Sequence, residues 1–334
     1  MDKHCKIILA TIGTIVLSLQ LLSCRSSAPQ PSNRQLVWAQ MFIKGDIQEK
    51  GFFECNAEGK RYGIKPVRQQ TFYLGEKSFN MMHHHGVALE SEQMAYRIYF
   101  DNRHTIDVYA KRTPRLELAR SLWYPNDEQL AEHFGDDVLK VGNTIGVGTV
   151  RPYDAQKQKL TAMDKFVSRT QRIVSLNQKK AVAEVVVQGL QIEDTIVDLT
   201  TRYTILAGHR DMKCEVFCNV PLHTLVTGVQ KIGSGPSITE NDADACLLAS
   251  WGTDWPVNDT IKYAKETVGL AVTIQKQYVT ECLSDDKQRL AGIKLDEKGY
   301  AKFYLTVVAQ KEEQPQATDF DTFLNYVRSW KPQY

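Results

Sequence analysis

The chain has 334 residues, of which 43% are hydrophobic and 24% charged. That balance excludes disordered, collagen-like and low-complexity proteins and leaves ample apolar material for a core. Lys and Arg number 41 against 39 Asp and Glu, a net charge of +2. A chain so balanced carries no electrostatic footprint for nucleic acid, and no nucleic-acid partner is expected.

The N-terminus reads as an address. Lys3 and Lys6 precede an apolar run from Ile7 to Leu22, and Leu21-Leu22-Ser23-Cys24 closes it. The run is shorter than the roughly 20 residues needed to span a bilayer and suits a signal-peptide core. Its last four residues resemble the bacterial lipobox, in which the Cys is lipidated and becomes the first residue after cleavage. The expected organisation is a lipoprotein signal peptide over 1–23, a lipidated Cys24 opening a Ser- and Pro-rich tether over 24–34, and one domain over 35–334. Arg25 is not the Asp associated with inner-membrane retention in some bacteria. The expected location is therefore the cell envelope, anchored by lipid at Cys24 in the outer membrane, on its periplasmic or its surface face.

Beyond residue 35 the strongest periodicity is two, the signature of strands with one buried face. Strands are predicted over 95–100 and 105–110, joined by a polar turn at Asp101-Asn102-Arg103-His104. Others follow over 181–187, 195–206, 215–220, 225–231, 268–274 and 302–309. Helices are few. Asn126 is placed to cap a short one, and Phe320, Phe323, Leu324, Val327 and Trp330 form a helical stripe behind a Thr318/Asp321 capping box. The fold class expected is mainly β: a large antiparallel β-sandwich with a C-terminal helix packed on a sheet. Five cysteines follow Cys24, namely Cys55, Cys214, Cys218, Cys246 and Cys282, with no CxxC pair. If 214–218 is a strand, its two cysteines lie roughly 13 Å apart, too far for a disulfide. Scattered buried thiols are expected.

Common catalytic signatures are absent: no GxSxG, no GxxxxGK[ST], no HExxH. The unusual segment is His83-His84-His85-Gly86, followed by Glu90. In an extended triplet His83 and His85 share a face and, with a carboxylate, can work as acid and base or hold a divalent metal. No metal set is assigned and no cofactor is indicated. Alternation places Arg97 and Tyr99 on one face of their strand, and Asp107, Tyr109 and Lys111 together on the next. Paired across the hairpin, they make a patch suited to an anionic sugar: cations neutralise a uronate carboxylate while a phenol or imidazole moves a proton. The plainer reading is the solvated face of a half-buried sheet. Trp251, Asp254 and Trp255, and the Trp123-Tyr124-Pro125 segment, read as loops whose aromatics either stack on sugar or anchor the core.

The blocks His83-His84-His85-Gly86, Glu90, 95–101, Ile106-Asp107-Val108-Tyr109 and Lys111 resemble a bacterial family still defined only as a domain of unknown function, found in secreted and lipid-anchored proteins of polysaccharide-degrading bacteria. This sequence has Ala110 where the family has Gly, and Val87 and Leu89 where it has a Pro and an aromatic. The resemblance implies a supersandwich like that of galactose mutarotases and several polysaccharide lyases, with a carbohydrate substrate. On that basis the catalytic candidates are His83, His84, His85, Glu90 and Tyr99. The substrate-binding candidates are Arg97, Asp107, Tyr109, Lys111, Trp251, Asp254 and Trp255. The partner is an acidic oligo- or polysaccharide, met by a lyase, a hydrolase accessory or a sugar epimerase. The alternatives are a non-catalytic glycan-binding lipoprotein and a structural envelope protein.

Overall fold

A computed structural model describes residues 35–45, 52–55, 61–121 and 125–332. The expected signal peptide, Cys24, its tether and Trp123-Tyr124 lie outside the described residues. Among them the chain is mainly β, a large antiparallel sandwich. A nine-stranded sheet runs in the order Ser237–Asn241, Ala245–Asp254, Glu266–Gln275, Tyr300–Ala309, Met212–Cys218, Thr195–Leu206, Lys180–Ile192, Ser168–Leu176 and Gln69–Tyr73. Two five-stranded sheets complete the layers. One orders Val37–Gln40, Gly86–Ser91, Met94–Tyr99, Ile106–Ala110 and Asp136–Asp137. The other orders Lys159–Leu160, Arg151–Asp154, Leu225–Gln230, Gln288–Ile293 and Val279–Ser284. A small three-stranded sheet, Phe42–Gly45, Arg61–Pro66 and Phe52–Cys55, lies near the N-terminus.

Alternation explains the inner faces. Met212, Cys214, Val216 and Cys218 are buried while the residues between them are partly exposed. Ala301, Phe303 and Leu305 do the same in the first half of Tyr300–Ala309, while every residue from Leu305 to Ala309 is buried. From the first five-stranded sheet come Val87, Leu89, Tyr96, Ile98 and Val108, and one hydrophobic cluster joins them to Val185, Leu199 and Tyr203 of the large sheet. Burial of such side chains at about 1.5–3 kcal/mol each drives the layers together.

The C-terminal helix forms over Phe320–Ser329, but its cap is Asp319, bonded reciprocally with Thr322, one residue away from the expected box. Phe323, Leu324 and Val327 bury a second small core against Ala249, Trp251 and Ala271 on the outer face of the large sheet. Gly269 makes this possible, since a Cβ there would meet the Phe323 ring at 2.7 Å. The Asn126 cap is also present, in a capping box with Gln129 over Asp127–Ala131.

Candidate functional site

The hairpin Met94–Tyr99/Ile106–Ala110 forms with Arg97 opposite Asp107 and Ala95 opposite Tyr109. Asp101 Oδ1 accepts from the amides of Arg103 and His104, which shapes the turn. Tyr96, Ile98, Phe100, Ile106 and Val108 point into the core, so the opposite face collects Arg97, Tyr99, Asp107, Tyr109 and Lys111, as the alternation requires. That face is largely covered rather than solvated, and it divides into two parts.

The first part is closed. Glu90 is 0% and Lys111 2% exposed, and their side chains meet at 2.6 Å. The ammonium also donates to the carbonyls of Ser91 and Arg115, which uses its three protons. Glu90 accepts from the amides of Glu117 and Leu118. Burial pushes the Glu90 carboxyl up, against the pull of Lys111. The segment after the hairpin thus seals the pair from solvent, with Glu90 and Lys111 spent on internal partners. Tyr109, 1% exposed, has its phenol pushed well up by burial and by the neighbouring Glu117.

The second part is open. Tyr99, Arg103, Thr105 and Asp107 line a cleft of about 200 Å³ together with Asp137, Leu139, Lys140 and the 256–258 segment. Beneath it Arg97, 3% exposed, binds the carboxylates of both Asp107 and Asp137. Its charge is committed to these two groups rather than left for a substrate. Tyr99 donates to Asp107 Oδ2 at 2.8 Å, and burial followed by the Asp107 charge raises its phenol well above the usual range. Asp137 is the residue the sequence reading missed. Burial holds its carboxyl well above the usual value; Arg97 opposes this, while Asp107 and Asp136 reinforce it. Tyr263 is pushed up to about 12 by burial and then by the charges of Asp136 and Asp137.

The histidine triplet is not extended. His83–His85 forms a single tight turn in which His84 and His85 have φ of 55° and 58°, the left-handed region that is uncommon outside Gly. The triplet therefore lacks the alternation of a strand: the His83 and His84 rings lie 3.8 Å apart, tilted by 45°, while the His85 ring turns to Phe79. His83 lies edge-on to Phe42. His84, 1% exposed, contacts the Gln40 side-chain amide at 2.9 Å, and that amide also donates to the Leu118 carbonyl. His85 Nδ1 donates to the Phe79 carbonyl, and its ring stacks on Phe79 and meets Tyr99 edge-on. His85 thereby contacts a cleft residue. Burial lowers His84 well below 6.5, with the charges of His83 and Arg97 adding to it; burial lowers His85 to about 3. Both rings are neutral at physiological pH. Gly86 follows because a Cβ there would sit 2.1 Å from the Ile98 carbonyl oxygen.

The tryptophan region departs from the expected loops. Trp251 lies inside the Ala245–Asp254 strand, 7% exposed, against Phe323 under the helix, so it anchors a core. Asp254 ends that strand and accepts from the Trp255 amide. Trp255 is half-buried beneath the Lys265 ammonium, and the residues just after it reach the cleft. Among the described residues no group of three or more His, Cys, Asp or Glu is placed to hold a metal ion.

A family model described as "Domain of unknown function (DUF4861)" matches residues 17–334. The chain belongs to that family. No curated protein matches the sequence. Among solved structures, this DUF4861 chain is similar to a "putative kojibiose phosphorylase from human microbiome", with 12% identity and a TM-score of 0.32 over 79% of this chain and 34% of that one. It is also similar to the GH36 alpha-galactosidase AgaB from Geobacillus stearothermophilus, with 9% identity and a TM-score of 0.26 over 76% and 40%. The chain thus spans well under half the length of either protein.

Proposed function

We propose that this protein takes up one ring of an acidic carbohydrate in the Tyr99–Asp137 cleft and that Asp137 is the proton donor there. The observation that carries the reading is a buried carboxyl, held protonatable by its surroundings, at a cleft of about 200 Å³ that Arg103 and Lys140 also line. Such a cavity is smaller than the roughly 300–1,000 Å³ of drug-sized ligand sites, so it suits a single sugar ring rather than a long stretch of chain. Lys140 and Arg103 complement a uronate carboxylate. Asp107 accepts from ring hydroxyls. Asp137 supplies the proton that a leaving glycosidic oxygen requires.

Calorimetric titration with galacturonate oligomers and their neutral counterparts tests this. Binding of the acidic set alone, weakened about tenfold by Lys140→Ala, a loss of about 1.4 kcal/mol, is the expected result. Equal binding of neutral and acidic sugars, or none of either, overturns it. Reducing-end release marks hydrolysis, and ultraviolet absorbance of an unsaturated uronate marks a lyase. A second reading, binding without cleavage, draws on the hold of Arg97 over both carboxylates; uronate binding with neither product signal selects it.

The envelope location belongs to the same proposal. A Cys24→Ala protein that moves from the detergent phase to the aqueous phase supports the lipid anchor, and unchanged partitioning removes it.

A further inference from the structure

Cys246 and Cys282 are 36 residues apart in the chain, yet their sulfurs lie 3.0 Å from each other. The two belong to different sheets. Cys246 sits in the Ala245–Asp254 strand of the nine-stranded sheet, paired with Asn241 on one side and Ile274 on the other. Cys282 sits in Val279–Ser284, the edge strand of the second five-stranded sheet, opposite Ala291. The register of that edge strand shifts between Val279 and Cys282. Irregularities of this kind re-aim a side chain, and here the thiol is directed at the facing sheet. Two small apolar side chains would pack flank to flank; these two meet at their sulfur tips, about 1 Å beyond the ~2.05 Å of a disulfide. Cys214 and Cys218 project inward from one strand with Glu215, Val216 and Phe217 between them.

We propose that Cys246 and Cys282 form a disulfide that staples the nine-stranded sheet to the edge strand facing it, made by exchange with a disulfide-bearing oxidant. The inference rests on the fold alone and is independent of the cleft. Cys282 is only half-buried whereas Cys246 is fully buried, so the oxidant meets Cys282 first. The Cys282 thiolate attacks one sulfur of the oxidant and displaces the other as a thiolate, leaving a mixed disulfide. The Cys246 sulfur then attacks Cys282, forms the Cys246–Cys282 bond and expels the second oxidant sulfur. Two electrons pass from the protein sulfurs to the oxidant, and the two thiol protons end on the released thiols. The bond closes a 36-residue separation and pins an edge strand, an element otherwise prone to fraying.

The test treats the full-length protein with oxidised glutathione, unfolds it, alkylates its free thiols and maps the peptides. The expected result is a peptide pair linked through Cys246 and Cys282, lighter than the two separate peptides by two hydrogen atoms, with Cys214 and Cys218 alkylated. Reductant should then lower the melting temperature of the wild type by roughly 5–10 °C and leave Cys282→Ser unmoved. Alkyl label on both Cys246 and Cys282 after oxidation, or either one bridged to a different cysteine, overturns the proposal. A melting temperature indifferent to reductant overturns the staple.

Discussion

Arg97 holds two carboxylates at once, Asp107 and Asp137. Removing a partner from a buried charge costs about 3–5 kcal/mol, because the remaining charge is left uncompensated. Arg97→Met is therefore expected to destabilise the protein by that amount in urea unfolding, and adding Asp137→Asn should recover part of it. The Lys111–Glu90 pair obeys the same rule: Lys111→Ala should cost about 3–5 kcal/mol without touching sugar binding, since the pair is sealed from the cleft. A loss of binding at unchanged stability in Lys111→Ala would contradict that separation. His84 and His85 carry a pH signature. Both are neutral in the fold, whereas the imidazoles of the unfolded chain take up protons below their ordinary value of 6.5. The unfolded state then binds more protons, so stability falls as pH drops below that value, by at most about 1.4 kcal/mol per pH unit for each ring. For His85 the loss levels off once its folded pKa of about 3 is passed. Urea midpoints across this range for wild type and His84→Gln check the slope, which should be shallower in the variant.

At the scale of elements, the Phe320–Ser329 helix offers the simplest measurement. Phe323 fills the gap left at Gly269, and Phe323→Ala is expected to cost about 3–5 kcal/mol; a cost below 1 kcal/mol would mean that the helix is not docked. The elements also show what a sequence can convey. Thr195–Leu206 was expected and appears over the same residues, because a long strand with one exposed face alternates visibly. Gly86–Ser91 is buried at every position, so it has no alternation to read. Asp136–Asp137 is a two-residue strand, too short for any period, which is why the acid of the cleft went unseen. Two adjacent carboxylates between Gly135 and the apolar Val138-Leu139 were the one available signal. The Arg97, Tyr99 and Asp107 cluster was legible because register across a hairpin follows from pattern and turn. The histidine turn was not, because its left-handed residues carry no Gly or Asn to announce them.

At the scale of the whole molecule, the near-neutral net charge makes the cleft cations a local rather than a global attraction. Binding of an acidic sugar is expected to weaken with added salt only modestly, as for one or two exposed charges within a Debye length of about 10 Å at 0.1 M. A steep dependence would point to a broad basic surface instead. The order of strands has a further consequence. The sheet from Val37 to Asp137 can close early, but its apolar side is covered by Lys180–Ile192 and Thr195–Leu206, and the Gln69–Tyr73 edge waits for Ser168–Leu176. The first hundred-odd residues therefore keep a bare greasy flank until those later strands have been made, and their packing waits on contacts distant in the chain.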